Sequence, residues 1–195
     1  FLRVSGNAEA LHTGWKIALN ILEYCCGIAT RTHCLVTRAQ AVQPDISIVT
    51  TRKCFPGSRE LSIGAVMAGG GMPHRLGLSE TILIFQQHIN FLGGLPQTAE
   101  AIHRLRSRAC EKKIIIEAKT PEEALTMADM EIDGLQFDKF PPEQLAPLVQ
   151  QIRAAKPELL LIAAGGINGD NAALYAATGV NALATTWTYF GKPAD

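Results

Sequence analysis

The hydrophobic residues of this chain show two different spacings, one before and one after Pro44. From about Leu11 to Arg38, apolar residues recur at intervals of three and four, which places them on one face of a helix. This spacing predicts one long helix or two abutting helices. After Pro44 the apolar residues gather in short, nearly continuous runs, which are typical of strands buried on both faces of a parallel sheet. The runs are Ile46–Val49, Thr81–Phe85, Ile114–Ile116, Leu135–Phe137, Leu159–Ala163 and Ala182–Ala184.

Helical segments separate several of these runs. The strongest helix start is Thr120, Pro121 and Glu123, because an N-cap threonine precedes a proline at the first helical position and an acid at capping-box spacing. Further helices are predicted over 98–110, from Pro141 onward, and over 168–178. Strands that alternate with helices form either an open doubly wound sheet or a barrel.

The residues at the strand ends favour the barrel. Polar residues or glycines follow nearly every run, and active sites of α/β barrels are built from the carboxyl ends of several strands. An open sheet concentrates its functional residues near one switch point instead. We therefore predict an α/β fold, an incomplete TIM-like barrel of about six to seven parallel strands where a complete barrel has eight. Residues 41–195 should form the barrel, and residues 1–40 a helical segment that leads into it.

The composition narrows the class of protein. Lysine plus arginine and aspartate plus glutamate both number 18, so the formal net charge is +0 and no overall field attracts nucleic acid. The five cysteines form no C-x-x-C pair, which is typical of reduced thiols in the cytoplasm. No apolar run has transmembrane length and no signal peptide is visible. We expect a cytoplasmic protein that neither inserts into membranes nor binds nucleic acid.

A cationic stretch follows the first run. Arg52 and Lys53 come soon after Val49, and a glycine run further along the chain precedes His74 and Arg75. A guanidinium offers a planar fork and an ammonium a point charge, so these residues suit an anionic ligand. The pattern fits a pocket for a polyanionic substrate, and it also fits a strand end with solvated charges.

Two acids stand at the ends of later strands. Glu117 and Asp138 each follow an apolar run directly. A pair of carboxylates there suits a magnesium-bound phosphorylated ligand or the hydroxyls of a ribose. The alternative is that one acid forms an ion pair with the neighbouring Lys119 or Lys139.

A glycine pair, Gly165–Gly166, lies between a strand and a predicted helix. Such a turn presents backbone N–H groups and the positive end of a helix dipole to a phosphate. Thr185 and Thr186 follow the last strand and could add hydroxyl groups to the same phosphate.

Several motifs occur in an order that is specific to one enzyme family. They are Ala18–Asn20, Gly27–Thr30, Thr51–Lys53 with Pro56–Gly57, Gly69–Gly71 with His74–Leu78, Gly165–Gly166 and Thr178–Val180. Together they resemble quinolinate phosphoribosyltransferase, also called nicotinate-nucleotide pyrophosphorylase, over essentially the whole chain. Within this family, residues 51–59 and 193–195 are most similar to the branch associated with molybdenum transport.

The resemblance implies an architecture and a reaction. An N-terminal α/β sandwich domain would precede the barrel, and each N-terminal domain of a homodimer would cap the partner's barrel, with sites near the interface. We expect that domain to be largely absent from this chain, which begins at Phe1. The implied reaction transfers phosphoribosyl from phosphoribosyl pyrophosphate to a small heteroaromatic acid, with Mg²⁺ as cofactor and release of pyrophosphate.

The resemblance also implies residue roles. The predicted catalytic residues are Lys53, Glu117 and Asp138, of which the two acids also hold the metal and the ribose hydroxyls. The predicted substrate-binding residues are Lys16, Arg52, Lys53, His74, Arg75 and Phe85. The predicted phosphate-binding residues are Gly165, Gly166, Thr185 and Thr186.

At four positions the chain departs from the family pattern. The family has an arginine at Lys16, a lysine at Phe85, a serine at Ala164 and a glycine at Thr186. The loss of a cation at position 85 removes about 1.5–3 kcal/mol of charge-assisted hydrogen bonding to an anion, and it adds an aromatic surface for stacking. We therefore predict an acceptor other than quinolinate, less charged or larger. The alternatives are quinolinate phosphoribosyl transfer in NAD biosynthesis, and a non-catalytic barrel that binds a phosphorylated ligand or nucleotide.

Overall fold

The computed structural model describes residues 2–77 and 79–194. Within these residues, seven parallel strands form one sheet in the order β2-β1-β7-β6-β5-β4-β3. The strands are β1 Ser47–Thr50, β2 Met72–Pro73, β3 Ile82–Ile84, β4 Ile114–Ala118, β5 Gly134–Asp138, β6 Leu160–Ala164 and β7 Ala182–Thr185. The sheet curls into an incomplete barrel, which confirms the predicted fold class. The hydrophobic pattern missed β2, because two residues are too few to show a periodicity.

Seven α-helices and one 3-10 helix accompany the strands in the described part of the chain. They are α1 Ala8–Gln40, α2 Arg59–Ala68, α3 Gln86–Leu92, α4 Leu95–Arg108, α5 Pro121–Ala128, α6 Pro142–Ala155, α7 Ala172–Ala176 and the 3-10 helix Trp187–Tyr189. The first of these, α1, is one uninterrupted helix. Of the two predicted alternatives, one long helix or two abutting helices, the structure shows the first. It ends at Gln40, and the division of the chain at residues 40 and 41 stays a prediction.

The helix predicted over 168–178 is shorter in the structure. It begins at Ala172, because the preceding residues form side-chain turns that compete with the first helical turn. The Asn171 side chain accepts a hydrogen bond of 2.8 Å from the Asn168 N–H, and the Asn168 side chain accepts one of 2.8 Å from the Asp170 N–H. Gly166 is therefore not followed directly by a helix N-terminus, contrary to the sequence-based expectation.

Two apolar layers hold the fold together. The larger lies between the sheet and the helices, with fully buried Leu135, Phe137 and Leu161 pointing outward from their strands. The smaller fills the barrel interior, and its buried members are Ile115, Ile162, Ala164, Ala182 and Ala184. Side chains alternate between the two faces of a strand. Every second residue of a strand therefore points into the barrel interior, and the last of these residues lie at the carboxyl ends of the strands.

The two halves of α1 differ in burial. Ile28 and Leu35 in the C-terminal half are 0% exposed, and Arg31 donates a hydrogen bond of 2.9 Å to the carbonyl oxygen of Thr188. In the N-terminal half, Trp15 and Ile17 are 48% and 64% exposed. No helix in the described ranges combines the length and the apolar character that a membrane crossing requires.

Candidate active site

A cavity of about 670 Å³ opens at the carboxyl ends of the strands. Its floor consists of the interior residues Leu83, Ala164 and Ala184. Eleven of the twelve predicted site residues line it: Arg52, Lys53, His74, Arg75, Phe85, Glu117, Asp138, Gly165, Gly166, Thr185 and Thr186. The barrel brings these residues together because each lies at or after the carboxyl end of a strand of the same parallel sheet.

Lys16 is the predicted residue that the structure places elsewhere. It lies on the exposed N-terminal half of α1, where its Nζ is 4.3 Å from the centroid of the Trp15 ring. It is not among the residues that line the cavity. Within a single copy of the chain, Lys16 is thus separated from the other predicted residues.

Three cations stand on one side of the cavity. Arg52 and Lys53 follow β1, and Arg75 follows β2, which pairs with β1 through Thr50 and Pro73. Burial and the neighbouring Arg52 charge lower the pKa of Arg75 from its ordinary value. Among residues 2–77 and 79–194, none of these cations forms an ion pair within 4.0 Å. Like charges held together without a counter-ion indicate a binding site for an anion.

His74 is a partly buried ring beside these cations. Its Nε2 atom is buried and has no hydrogen-bond partner in the described part of the molecule. Burial, and secondarily the charge of Arg75, lower the pKa of His74. The ring is therefore neutral at neutral pH and offers an unused polar atom to a ligand.

The acids occupy the neighbouring strand ends. Glu117 on β4 faces Gln136 on β5 in the strand register, and the Gln136 amide donates a hydrogen bond of 2.7 Å to Glu117 Oε2. Burial raises the pKa of Glu117, the Gln136 hydrogen bond opposes this, and the nearby Asp138 charge raises it further. Asp138 lies two residues beyond Gln136 on the same face of β5.

The two acids provide oxygen donors of the kind that suits a magnesium ion. The described residues contain no cluster of three or more His, Cys, Asp or Glu side chains suited to hold a metal ion. Mg²⁺ is usually bound through one or two carboxylates, with water and substrate phosphates as the remaining ligands. Glu117 and Asp138 supply donors of this kind on one cavity wall.

The glycine pair follows β6 and lies beside Asp138 at the end of the neighbouring strand. Gly165 and Gly166 have φ of +89° and +76°, a region that side chains other than hydrogen rarely adopt. A Cβ on Gly165 would lie 2.9 Å from Asp138 Oδ1, so the turn approaches the acid more closely than any other residue type would allow. The turn can offer backbone N–H groups to an anion without a helix dipole.

The two threonines at the end of β7 differ in their partners. The Thr185 hydroxyl donates a 2.7 Å hydrogen bond to the Ile167 carbonyl oxygen and accepts one of 3.0 Å from the Trp187 N–H. These two hydrogen bonds connect the end of β7 to the loop after β6 and to Trp187. The Thr186 hydroxyl lies 2.9 Å from that of Thr51, at the rim of the cavity. Of the two, Thr186 has the hydroxyl group better placed to contact a ligand.

Phe85 contributes an aromatic wall. Its backbone N–H donates a 2.9 Å hydrogen bond to His88 Nδ1, and the two ring centroids are 5.8 Å apart. The bond fixes the position at which β3 passes into α3, and the ring lines the cavity.

Sequence reasoning missed Gln136 and Lys139 as cavity residues. Gln136 interrupts the apolar run from Leu135 to Phe137, and it lies at a two-residue spacing from Asp138. That spacing places both side chains on the same face of a strand, so it could have identified Gln136. Lys139 was considered only as an ion-pair partner for an acid, a pairing that does not form among the described residues.

Comparisons with known proteins identify the same family along most of the chain. The model of the quinolinate phosphoribosyl transferase C-terminal domain matches residues 28–194. A relative in Escherichia coli O157:H7, named as the pyrophosphorylase ModD, is 40% identical over 194 residues, which cover 100% of this chain and 68% of the relative. The nicotinate-nucleotide pyrophosphorylase (carboxylating) of Mycobacterium leprae is 36% identical over 183 residues, 94% of this chain and 63% of the relative.

A solved structure shows the same architecture. The nicotinate-nucleotide pyrophosphorylase of Francisella tularensis superposes with a TM-score of 0.84 at 26% identity, covering 97% of this chain. The chain spans 65% of that structure's length. The similarity thus includes nearly all of this chain and about two-thirds of its relatives.

Proposed function

Because the chain belongs to the quinolinate phosphoribosyl transferase family, we propose that it is a phosphoribosyltransferase, a pentosyltransferase of the pyrophosphorylase type. It transfers phosphoribosyl from phosphoribosyl pyrophosphate to a small heteroaromatic carboxylate other than quinolinate. One observation carries the proposal. The three cations that follow β1 and β2 face a single cavity together with the two acids, and neither set is neutralised by an ion pair between described residues. Cations bind anionic groups and carboxylates accept hydrogen bonds from hydroxyl groups, so the cavity suits a substrate that has both.

In the proposed reaction, a bond forms between the acceptor ring nitrogen and C1 of the ribose. The bond from C1 to the pyrophosphate oxygen breaks, and pyrophosphate leaves with the electron pair. Positive charge develops on the ribosyl group in the transition state. The carboxylates of Glu117 and Asp138 stabilise that charge and accept hydrogen bonds from the ribose hydroxyls, because fixed charges in a partly dehydrated site need no reorganisation.

The cations hold the other reactant in this proposal. Arg52 and Arg75 bind the acceptor carboxylate, and Lys53 lines the same cavity, where its charge favours ionised Glu117. Neutral His74 donates or accepts a hydrogen bond through its buried ring nitrogen. Magnesium bound with the substrate would be held by Glu117 and Asp138 and would neutralise phosphate charge.

The choice of an acceptor other than quinolinate rests on Phe85. An aromatic ring lines the wall from which the family pattern would project a lysine. A site with one cation fewer favours a monocarboxylate, and the ring adds a stacking surface for a larger heterocycle. The association with molybdenum transport stays a prediction from the resemblance.

We further propose that the protein acts as a homodimer in the cytoplasm. The exposed apolar side chains on the first half of α1, which include Trp15 at 48% and Ile17 at 64%, suit an interface with a second copy. Lys16 lies on this surface and outside its own cavity. A role for Lys16 in substrate binding therefore requires the cavity of the partner. The five free cysteines fit a reducing compartment.

Release of pyrophosphate provides the test. The protein is incubated with phosphoribosyl pyrophosphate and Mg²⁺ in the presence of a panel of heteroaromatic mono- and dicarboxylic acids. The proposal expects release with at least one acid and little with quinolinate. Release with quinolinate alone would identify the NAD-biosynthesis activity, and no release with any acid would leave a ligand-binding barrel.

A further inference from the structure

Lys139 has an unusual backbone conformation at the end of β5. Its φ is +62°, and among the described residues it is the one non-glycine residue with a positive φ. Side chains in this region cost conformational energy, and such residues cluster at functional sites. A glycine at this position would avoid that cost.

The surrounding backbone holds Lys139 in place. Its N–H donates a 2.7 Å hydrogen bond to the carbonyl oxygen of Ala164 on the neighbouring strand. The next residue, Phe140, is 3% exposed, and its carbonyl oxygen accepts a 3.0 Å hydrogen bond from the Tyr175 hydroxyl. The chain is therefore fixed on both sides of the strained residue.

The lysine side chain runs along the glycine turn. A Cβ on Gly165 would lie 2.5 Å from Lys139 Cγ, so the absence of a side chain there makes room for the lysine stem. Lys139 lines the cavity together with Gly165 and Gly166. Within residues 2–77 and 79–194 it makes no ion pair, even though Asp138 is its neighbour in sequence.

The charges of the cavity are thus divided between two ends. Arg52, Lys53 and Arg75 follow β1 and β2, whereas Lys139 stands at the end of β5 beside the turn after β6. If the carboxylate of one reactant binds at Arg52, Lys53 and Arg75, Lys139 and the glycine turn are available to bind a second anionic group. Backbone N–H groups with a nearby ammonium suit a phosphate.

We infer that Lys139 is a further substrate-binding residue, whose ammonium group pairs with the 5′-phosphomonoester of the phosphoribosyl substrate beside Gly165 and Gly166. The inference rests on the proposed function for the identity of the substrate. Its test is nevertheless independent of the test of the transferase proposal, because the protein can bind a phosphomonoester without any transfer reaction.

The experiment measures calorimetric dissociation constants of the whole protein for ribose 5-phosphate and for inorganic pyrophosphate. Lys139→Met should weaken ribose 5-phosphate binding about 10- to 100-fold, the range of one charge-assisted hydrogen bond, and should leave pyrophosphate binding nearly unchanged. Lys139→Arg should restore most of the affinity. The loss should shrink at high salt, since screening weakens the pair in the wild type.

Two further variants separate binding from folding. Lys139→Gly removes the strained side chain, so its melting temperature should equal or exceed that of the wild type, while ribose 5-phosphate binding should weaken as in Lys139→Met. Lys119→Met is the matched control, because Lys119 is an exposed lysine just past the acid of the neighbouring strand that does not line the cavity. It should bind ribose 5-phosphate like the wild type.

Three outcomes would overturn the inference: a wild type that does not bind ribose 5-phosphate, equal binding by Lys139→Met, or a loss confined to pyrophosphate. A protein that binds ribose 5-phosphate through Lys139 but releases no pyrophosphate with any acceptor would refute the transferase proposal alone.

Discussion

The side-chain amide of Gln136 donates a 2.7 Å hydrogen bond to the carboxylate of Glu117, directly across the pair β4 and β5. Gln136 is 6% exposed, so its amide group has little access to water. The bond holds one acid of the cavity in a defined position and lowers its pKa against the larger effect of burial. Gln136 is thus a positioning residue for Glu117.

Replacement of Glu117 by glutamine should make the protein more stable and less active. The pKa of Glu117 is raised in the folded state, so ionised Glu117 costs stability increasingly as the pH rises above the range in which an exposed glutamate ionises. At pH 8 the melting temperature of Glu117→Gln should exceed that of the wild type by about 1–3 °C, since 1 kcal/mol corresponds to about 2–4 °C in a domain of this size.

The pH dependence provides the control for this variant. Below the ordinary carboxyl pKa both proteins carry a neutral group at position 117, so the difference in melting temperature should vanish. The measurement is made with a chelator to exclude bound cations. Pyrophosphate release should fall about 100-fold, because an electrostatic contact to the transition state is lost. An equal change in melting temperature at acid and alkaline pH would contradict the explanation.

A cation at position 85 should shift the acceptor preference toward quinolinate. Phe85→Lys places an ammonium group in the cavity that Arg52 and Arg75 also line, and one charge-assisted hydrogen bond corresponds to about a tenfold or larger gain in affinity. The ratio of kcat/KM for quinolinate to that for the preferred acid is the quantity to measure. Phe85→Leu, which keeps an apolar wall without a ring, should lower the affinity for the preferred acid and not raise that for quinolinate.

Acidification should weaken the fold through His74. Its pKa is lowered by burial, and then by Arg75, from the ordinary value of 6.5. The unfolded chain therefore binds a proton before the folded protein does, and stability is lost as the pH falls from about 6.5 toward the lowered pKa. His74→Gln should reduce this loss by on the order of 1 kcal/mol, as measured by urea unfolding from pH 7.5 to 5. The exposed His12 is the control, and His12→Gln should follow the wild-type curve.

The two glycines of the turn should respond differently to alanine. Gly165→Ala adds a Cβ within 2.5 Å of Lys139 Cγ and 2.9 Å of Asp138 Oδ1, at a φ of +89°. Strain and collision together should cost about 2–4 kcal/mol of unfolding free energy. At Gly166, with φ +76°, no atom lies within 4 Å of an added Cβ, so the cost should be about 1 kcal/mol of backbone strain.

Urea unfolding of both variants measures this difference. Equal destabilisation would show that the turn rearranges and that Gly165 is not in close contact with Lys139. Ribose 5-phosphate binding should be weakened in both variants, because each changes the backbone conformation that presents N–H groups to the phosphate.

The sequence by itself determined six of the seven strands, their order along the chain and the polar residues at their ends. Runs such as Ile114–Ile116 and Leu159–Ala163 are apolar because both faces of each strand are covered, and this burial leaves a pattern that can be recognised in the local sequence. The polar residues that follow the runs meet at one edge because parallel strands end on the same side. The fold class and most of the polar residues that line the cavity could therefore be predicted.

Only the tertiary structure decided which side chains meet and which do not. Gln136 contacts Glu117 across a strand pair. Lys139 lines the cavity with a positive φ, which the local sequence does not predict. Thr185 is committed to internal hydrogen bonds, whereas Lys16 lies outside the cavity. The physical reason is that such contacts depend on strand register, loop conformation and the distance between elements remote in sequence, and none of these is contained in the pattern of apolar and polar positions.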